Sequence, residues 1–556
     1  MSGNKLFYGD NLDILRNRDY FPNAYVDLIY LDPPFNSNRD YNILFRDESG
    51  RDSDAQIMAF GDTWHWGPSA ERTYQDLITD APENLARTIG ALYHILDRNQ
   101  LFAYLVMMAA RLAELHRVLK PTGSLFLHCD NTAGHYIKIL LDCIFGKDKM
   151  VNQITWKRSS AHSDSKQGAK HMGRITDMIF WYAKSDAYLY QTQHTPYDES
   201  YVREFYRHVE PETGRLYRLD NLTGPGGAKK GNPEYEVMGV KRFWRYSKVK
   251  MDELIAEGRI VQTRPGAVPQ YKRYLDEMEG VELQDIWTDI KPVQSRSKEA
   301  LGYPTQKPVA LLERIISISS KPGDIVLDPF AGCGTAMAAA QKLDRRWMGI
   351  DITHLSISML KYRLKDMFEL EAGKDYSVIG EPQDEGAARQ LAQDDRYQFQ
   401  WWALSLVRAK PLGGQEGSKQ GKKGSDRGID GVINFIDGKN RAPNRVLIQV
   451  KSGSVKSGDV RDLVGTVERE QAAIGVFITL ENPTREMTKE AVSAGFYRSA
   501  VWGKDYPRIQ ILTIADLLAG KGIEMPPQHG TFKQAERVKK GSDEQQLGLF
   551  DGDDEE

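Results

Sequence analysis

The chain has 556 residues, a length that calls for three or four compact units at roughly 100–200 residues each. Lys plus Arg number 74 against 77 Asp plus Glu, a formal net charge of −3, so the chain is not a basic nucleic-acid coat and any polyanion contact must come from local patches. A hydrophobic fraction of 40% can build buried cores, whereas 27% charged residues leave no apolar run suited to a membrane span. The start, MSGNKLFYGDNLDILRN, lacks the basic and then apolar regions of a secretory signal, so a cytoplasmic location is expected. Cys129, Cys143 and Cys333 lack the paired spacings of a zinc site or a disulfide framework, and neither is expected.

Residues 24–31, AYVDLIYL, form a β-branched and aromatic run that stops at Asp32-Pro33-Pro34-Phe35, where two prolines forbid continuation of a central strand. Apolar positions at helical spacing over 98–119, a Lys-Pro-Thr-Gly turn at 120–123 and a buried strand over 124–128 come next, followed by a helix over 133–145 and a strand over 152–157. Further on, a turn at 321–323 leads to a strand over 324–327, the loop DPFAGCGT from Asp328 to Thr335, an Ala-rich helix over 336–342 and a strand over 347–350 ending at Asp351. Strands alternating with helices predict a mostly parallel, doubly wound α/β sheet. Residues 158–300 differ in kind, being polar and aromatic with Gly, Pro and basic clusters, and are expected to be an inserted region.

Two of these segments point to chemistry. A glycine-rich loop between a strand and a helix lets backbone approach a ligand closely, and an acid at the end of the next strand, Asp351, can accept hydrogen bonds from ribose hydroxyls. In Asp32-Pro33-Pro34-Phe35 a carboxylate, a rigid proline pair and a ring suit an exocyclic amino group, whose lone pair is delocalised into its base. Hydrogen bonds from that amine to Asp32 and to the Pro33 carbonyl would favour a tetrahedral nitrogen, and Phe35 would stack on a base drawn out of the duplex.

Taken together over about residues 4–365, the segments YGDN (8–11), LIYLDPPFNS, TQKP (305–308), LDPFAGCGTA and GIDI resemble the amino-group DNA methyltransferases, N6-adenine or N4-cytosine, in their permuted β arrangement. The resemblance implies a Rossmann-like S-adenosylmethionine-dependent methyltransferase with an inserted target-recognition region. It implies that Asp32, Pro33, Pro34 and Phe35 form the catalytic loop, that Asp10 lies near the cofactor adenine, and that Thr305 and Lys307 lie near its methionine end. Asp328, Phe330, Gly332, Gly334, Thr335 and Asp351 would hold the cofactor. Phe35 stands where Tyr is commoner, and Asp at position 32 is similar to the adenine enzymes, with N4-cytosine left open. Double-stranded DNA is the expected partner, with Trp156, Lys157, Arg158, Arg242, Trp244, Arg245, Lys272 and Arg273 as candidate phosphate and base contacts.

A second α/β unit follows. Asp430 on one strand and Gln449-Val450-Lys451 on the next could place a carboxylate, an amide oxygen and a lysine around a hard cation and its water. With GVFITL (475–480), a helix near 484–494 and IQILTIADLLAG (509–520), the unit resembles the Mrr-like branch of the PD-(D/E)xK restriction endonucleases. That implies Asp430 and Gln449 as metal ligands, Lys451 at the attacking water, and Mg²⁺ as a cofactor if the unit cleaves. Gln400 stands where that family usually has Glu, so a non-catalytic DNA-binding module is the alternative. The organisation expected is a catalytic half over 1–157, recognition over 158–300, a cofactor half over 301–369, a linker over 370–395 that leaves the two activities independent, an endonuclease-like unit over 396–525 and a disordered acidic tail over 526–556. In that tail Gln546, Leu547, Leu549 and Phe550 resemble the pentapeptide that docks on replication sliding clamps. A restriction-modification or defence role is the expected setting, with a homodimer left open.

Overall fold

The prolines after Leu31 end the strand where the sequence requires it, and the strand lies near the centre of a nine-stranded sheet. The structure, a computed structural model, describes residues 3–34, 66–159, 170, 172–294, 297–301, 303, 305–412, 429–437 and 444–527, with the backbone of two further strands over 40–46 and 52–61. In chain order the sheet and its covering helices comprise β1 (Lys5–Tyr8), α1 (Asn11–Arg16), β2 (Val26–Leu31), the hairpin β3 (Asp40–Arg46) and β4 (Asp52–Gly61), α2 (Pro68–Thr79), α3 (Glu83–Leu96), α4 (Gln100–Val118), β5 (Leu119–Cys129), α5 (Gly134–Phe145), β6 (Met150–Lys157) and β7 (Thr176–Ala183). They continue with β8 (Ile286–Trp287), α6 (Val309–Ser319), β9 (Ile325–Asp328), α7 (Thr335–Lys342), β10 (Arg346–Asp351), α8 (His354–Phe368) and β11 (Ser377–Ile379). The strand order is β8-β6-β7-β5-β2-β9-β10-β1-β11, and β7 alone runs against the rest.

The two halves of the chain meet at the middle of this sheet, where Val326 and Leu327 of β9 pair with Leu28 and Ile29 of β2. Because β1, β2, β9 and β10 are parallel, the loops after all four open on one edge, where doubly wound sheets bind their ligands. The core beneath is apolar on both faces, with Leu105, Leu112 and Leu115 of α4 and Ile137 and Leu141 of α5 fully buried. Among the described residues, no helix is long and apolar enough to cross a membrane.

The expected recognition region, 158–300, is not a single insertion. Its residues 176–183 are β7, and the separate compact unit is Thr192–Gln284. That unit has a four-stranded antiparallel sheet (His208–Val209, Leu216–Asn221, Ile260–Val261, Gln270–Tyr274) and a small core of Leu222, Val237, Trp244, Met251, Leu254 and Ile260.

Residues 370–395, expected to be a linker, are also built into the fold. β11 pairs with β1 at the sheet edge, and α9 (Glu385–Asp394) follows directly. The C-terminal unit continues through α10 (Arg396–Leu406), β12 (Lys410–Pro411), β13 (Gly431–Phe435), β14 (Asn444–Lys451), α11 (Ser457–Arg469), β15 (Ile474–Thr479), α12 (Arg485–Ser493) and β16 (Ile509–Thr513). Its sheet order is β12-β13-β14-β15-β16, antiparallel through β14 and parallel beyond. Alternation along β14 sends Val446, Ile448 and Val450 into the core with Phe399 and Trp402 of α10, and Leu447 into the core with α11 and α12.

α10 also packs on α8. Tyr362 Oη donates to the Ser405 carbonyl at 2.9 Å, the His354 N–H donates to Gln398 Oε1 at 3.2 Å, and Trp401 covers a buried cluster of Cys333, Leu355 and Met359. Ending the chain at Glu369 removes β11 and uncovers this face. It is expected to lower the thermal unfolding midpoint by several degrees relative to the full chain, whereas separable units would leave the midpoint unchanged. Trp402→Ala, which empties a fully buried site, is expected to cost about 3–5 kcal/mol in denaturant unfolding.

Candidate active site

The loops after β1, β2, β9 and β10 enclose a cavity of about 260 Å³. Of the residues singled out from the sequence, Asp10, Asp32, Pro34, Thr305, Lys307, Asp328, Phe330, Gly332, Thr335 and Asp351 line it, joined by Tyr30, Arg111 and Tyr303. Pro33 is buried beside it. Gly334 caps α7 at φ +80°, where a Cβ would stand 2.6 Å from Leu360 Cγ. Phe35 lies outside the described residues.

Asp10 does two jobs at the end of β1. Its Oδ1 accepts the Leu12 N–H at 2.7 Å as the cap of α1, and both its oxygens accept from Arg111 Nη2 at 2.8 Å. Arg111 also donates to Asn11 Oδ1 at 2.5 Å, and Asn11 Nδ2 donates to the Pro329 carbonyl at 2.7 Å. The β1 loop is thus fastened to the β9 loop through a nearly buried guanidinium on α4. Arg111 leaves one sign in the sequence, a single charge inside the apolar run LVMMAARLA.

Asp32, immediately after β2, is held by Lys307, whose Nζ donates to Oδ2 at 2.5 Å and to the Thr305 carbonyl at 3.4 Å. Lys307, which the resemblance puts near the methionine end of a cofactor, thus also pairs with Asp32 within the cavity wall. The other carboxylate oxygen, Asp32 Oδ1, is buried and has no hydrogen-bond partner among the described residues.

Asp328 accepts the Phe330 N–H at 2.9 Å, yet burial pushes its carboxyl up to about 8, with the charges of Asp32 and Asp351 adding to the rise. Asp351 accepts the Gly332 and Thr353 N–H groups, each at 2.9 Å, and burial raises it too, against those bonds. The loop is backed by Arg363, a buried side chain the sequence reading missed, which donates to the Cys333 carbonyl at 3.2 Å and to Thr335 Oγ1 at 3.0 Å. Gly332, at φ +50°, lets the backbone turn under the Tyr303 ring, 3.3 Å from where a Cβ would sit.

Several candidate DNA contacts prove structural. Trp156 is buried and donates Nε1–H to the Ile290 carbonyl at 3.0 Å, and Trp244 is fully buried in the core of the Thr192–Gln284 unit. Lys272 pairs with Glu210 at 3.0 Å and Arg273 with Asp220 at 2.5 Å. Lys157, Arg242 and Arg245 remain exposed, as does part of Arg158.

In the C-terminal unit Asp430 precedes β13 and donates its N–H to the Ile448 carbonyl of β14, the strand that carries Gln449 and ends at Lys451. Asp430 Oδ1 accepts from Gln400 Nε2 at 3.0 Å and Oδ2 accepts the Val450 N–H at 2.7 Å, while Gln449 Oε1 is buried without a partner among the described residues. Among the described residues no three His, Cys, Asp or Glu side chains come together to hold a metal ion. The amide of Gln400 thus lies against the Asp430 carboxylate, at the position where the resemblance has an acid.

A family model described as DNA methylase, for the N6 and N4 enzymes, matches residues 26–361. The chain belongs to this family. The methylase is 27% identical over 351 residues to the type II methyltransferase M.EcaI of Enterobacter cloacae, covering 63% of this chain and 66% of that one. It is also 27% identical over 356 residues to the type III restriction-modification enzyme StyLTI Mod subunit of Salmonella typhimurium, covering 62% and 50%. The matches thus span about half to two thirds of those relatives. Among solved structures the chain is similar to the M1.HpyAVI complex with S-adenosylmethionine, at 16% identity and TM-score 0.29, covering 65% of this chain and 99% of that one. A second family model, described as NACHT-associated inactive Restriction Endonuclease 1, matches residues 415–519. It names an inactive endonuclease, where the sequence pointed to the Mrr-like branch.

Gln400→Glu restores an acid beside Asp430. The methylase is expected to show no thermal shift with Mg²⁺ or Mn²⁺, and Gln400→Glu to gain one; equal responses of the two proteins would assign Gln400 no part in excluding metal.

Proposed function

We propose that the methylase transfers a methyl group from S-adenosylmethionine to the N6 amino group of adenine in duplex DNA, at specific sites, within a restriction-modification or defence system. The observation that carries this reading is the Asp32 carboxylate, with one oxygen fixed by Lys307 and the other buried, unpartnered and in the cavity wall. A buried acceptor without a donor is costly, and an amine N–H supplies the missing donor.

The cavity suits a cationic cofactor. Asp32, Asp328 and Asp351 line it together, and burial, with the charges of Asp32 and Asp351 adding to it, raises Asp328, so a cation there would favour its ionised form. Asp351 and Asp10 would take the ribose and adenine end, the Gly332 to Thr335 turn the backbone approach, and Asp328, Phe330 and Thr305 the remainder. S-adenosylmethionine brings a sulfonium methyl group. The chain's part is to make the amine nucleophilic: Asp32 Oδ1 and the Pro33 carbonyl accept its hydrogens, Lys307 stops the carboxylate rotating, and Phe35 stacks on the flipped base. Asp at position 32 supports adenine, while the same acceptors would serve cytosine N4, so the modified base itself decides.

For residues 396–525 we propose a DNA-binding module without cleavage, supported by the Gln400 amide on Asp430 and by the inactive description of the matching family. The sliding-clamp resemblance at Gln546–Phe550 falls outside the described residues.

Labelled S-adenosylmethionine and unmethylated mixed-sequence DNA, followed by mapping of the modified base, test the reading. Wild type is expected to label adenine N6; Asp32→Asn is expected to slow transfer about 10²–10⁴-fold with cofactor affinity within about twofold. Near-normal transfer by Asp32→Asn overturns the role of Asp32.

Cofactor affinity should also depend on pH. Without ligand Asp328 holds its proton below about pH 8; a cation favours the ionised form, so binding releases a proton, and affinity is expected to rise as pH climbs toward 8 and level off above it. Calorimetry in buffers of different ionisation enthalpy reads the released proton directly, and Asp328→Asn is expected to abolish it.

A further inference from the structure

A chain of buried polar groups leads away from the cavity and takes no part in the chemistry above. Tyr30, near the end of β2, lies two residues before Asp32 in the loop that follows, and both line the cavity. The Tyr30 hydroxyl is 3.2 Å from His128 Nδ1, and His128 Nε2 is 3.0 Å from Asp177 Oδ2. His128 is 0% exposed and Asp177 3%. Asp177 Oδ1 in turn pairs at 3.0 Å with Arg158 Nε, on a side chain that is 44% exposed at the protein surface.

The hydrogen positions in this chain follow from its end groups. A neutral imidazole donates from one nitrogen and accepts at the other. Asp177, an acceptor, takes the Nε2–H, so Nδ1 accepts from the Tyr30 hydroxyl, and a lone pair of the Tyr30 oxygen is left facing the cavity. Burial pushes Asp177 up, but the hydrogen bond from His128, with the charges of Lys307 and Arg158 beyond, holds its carboxyl below the usual range. Burial, with the charges of Asp32, Asp328 and Asp177, keeps the Tyr30 hydroxyl protonated. The charged groups facing the chain are thus Asp32, Asp328 and Lys307 at the cavity end and Arg158 at the outer end. The Trp156 ring stands edge-on to His128 at 5.7 Å between centroids.

We propose that Tyr30, His128 and Asp177 form a proton exit from the reaction cavity, an inference that rests on the methyl-transfer reading. When the amine nitrogen gives its lone pair to the new N–C bond and the C–S bond breaks toward sulfur, the nitrogen is left positive and must lose one N–H proton. Asp32 Oδ1 takes it and becomes a carboxylic acid. That acid returns to carboxylate by giving the proton to the Tyr30 oxygen, directly or through one water, while Tyr30 passes its own hydrogen to His128 Nδ1. The imidazolium so formed is stabilised by Asp177 and gives its Nε2 proton to Asp177 Oδ2, which releases it to solvent water beside the exposed Arg158 side chain. No group is oxidised or reduced; His128 is left with its hydrogen on Nδ1, and the Tyr30 hydroxyl and the imidazole turn back to their starting hydrogen-bond pattern before the next turnover. The three relay residues act through Asp32 and are positioning residues in that sense.

Tyr30→Phe removes a single oxygen and should fold. On unmethylated mixed-sequence DNA with labelled S-adenosylmethionine, it is expected to cut the methyl-transfer rate at pH 7 at least tenfold. The rate should recover toward wild type as pH is raised to 9 or imidazole is added, since an external base then takes the proton. Cofactor affinity and melting midpoint should stay unchanged. His128→Asn should behave the same way, and Asp177→Asn should erase the low-field proton NMR signal of a held imidazole N–H that Tyr30→Phe retains. Wild-type rates in Tyr30→Phe at every pH, or a pH-independent loss accompanied by weakened cofactor binding, would overturn the exit. Wild-type protein that transfers no methyl group fails the methyl-transfer reading first, and this inference with it.

Discussion

The ion pair between Lys307 and Asp32 joins two stretches 275 residues apart, and the rest of the site is arranged around it. A partly buried pair gains little net stability, because two charges lose their water to form it; what it provides is orientation. One carboxylate oxygen is committed and the other is not, so Asp32 can face an amine with a single acceptor at a fixed angle. The pair also requires both halves of the chain at once. It forms only when β2 and β9 lie side by side, which places their loops on one sheet edge.

Negative charge dominates what surrounds that pair. Asp10 is matched by Arg111, and Asp32 by Lys307, but Asp328 and Asp351 meet backbone N–H groups rather than cations. A buried carboxylate without a counter-ion tends to keep its proton, which is how Asp328 comes to be raised. The empty charge position is a property of the fold itself, set by which strands end at the cavity, and it selects for a positively charged ligand before any specific contact is counted.

The strand-to-loop motifs were legible in the sequence because each is local: a β-branched run, then prolines or glycines, then a polar residue whose backbone position is fixed within a few residues. Asp10, Asp32, Asp328 and Asp351 fall together for that reason. What sequence did not disclose depends on register and packing. His128 and Asp177 lie diagonally across β5 and β7, with His128 opposite Ile179, and nothing within either segment signals the other. Trp244, Lys272 and Arg273 looked like DNA contacts by type, but a small unit needs a core and internal ion pairs of its own, and these residues supply them. The stretch 370–395 read as a linker because β11 is three residues long and α9 buries only Ala388, too little apolar pattern to register as an element.

Gln400 and Trp401 are adjacent on α10, about 100° apart around the helix. Gln400 reaches Asp430 inside the C-terminal unit while Trp401 covers the cluster behind the glycine loop. A helix shared in this way has no clean point of division. Cut before it, and the wall behind the glycine loop loses its cover; cut after it, and Phe399 and Trp402 are left without the sheet that buries them. The first helix of the endonuclease-like fold is thus part of its neighbour's structure. Transplanting the methylase onto another carrier therefore means carrying the whole second domain along, whether or not that domain ever touches a phosphodiester bond.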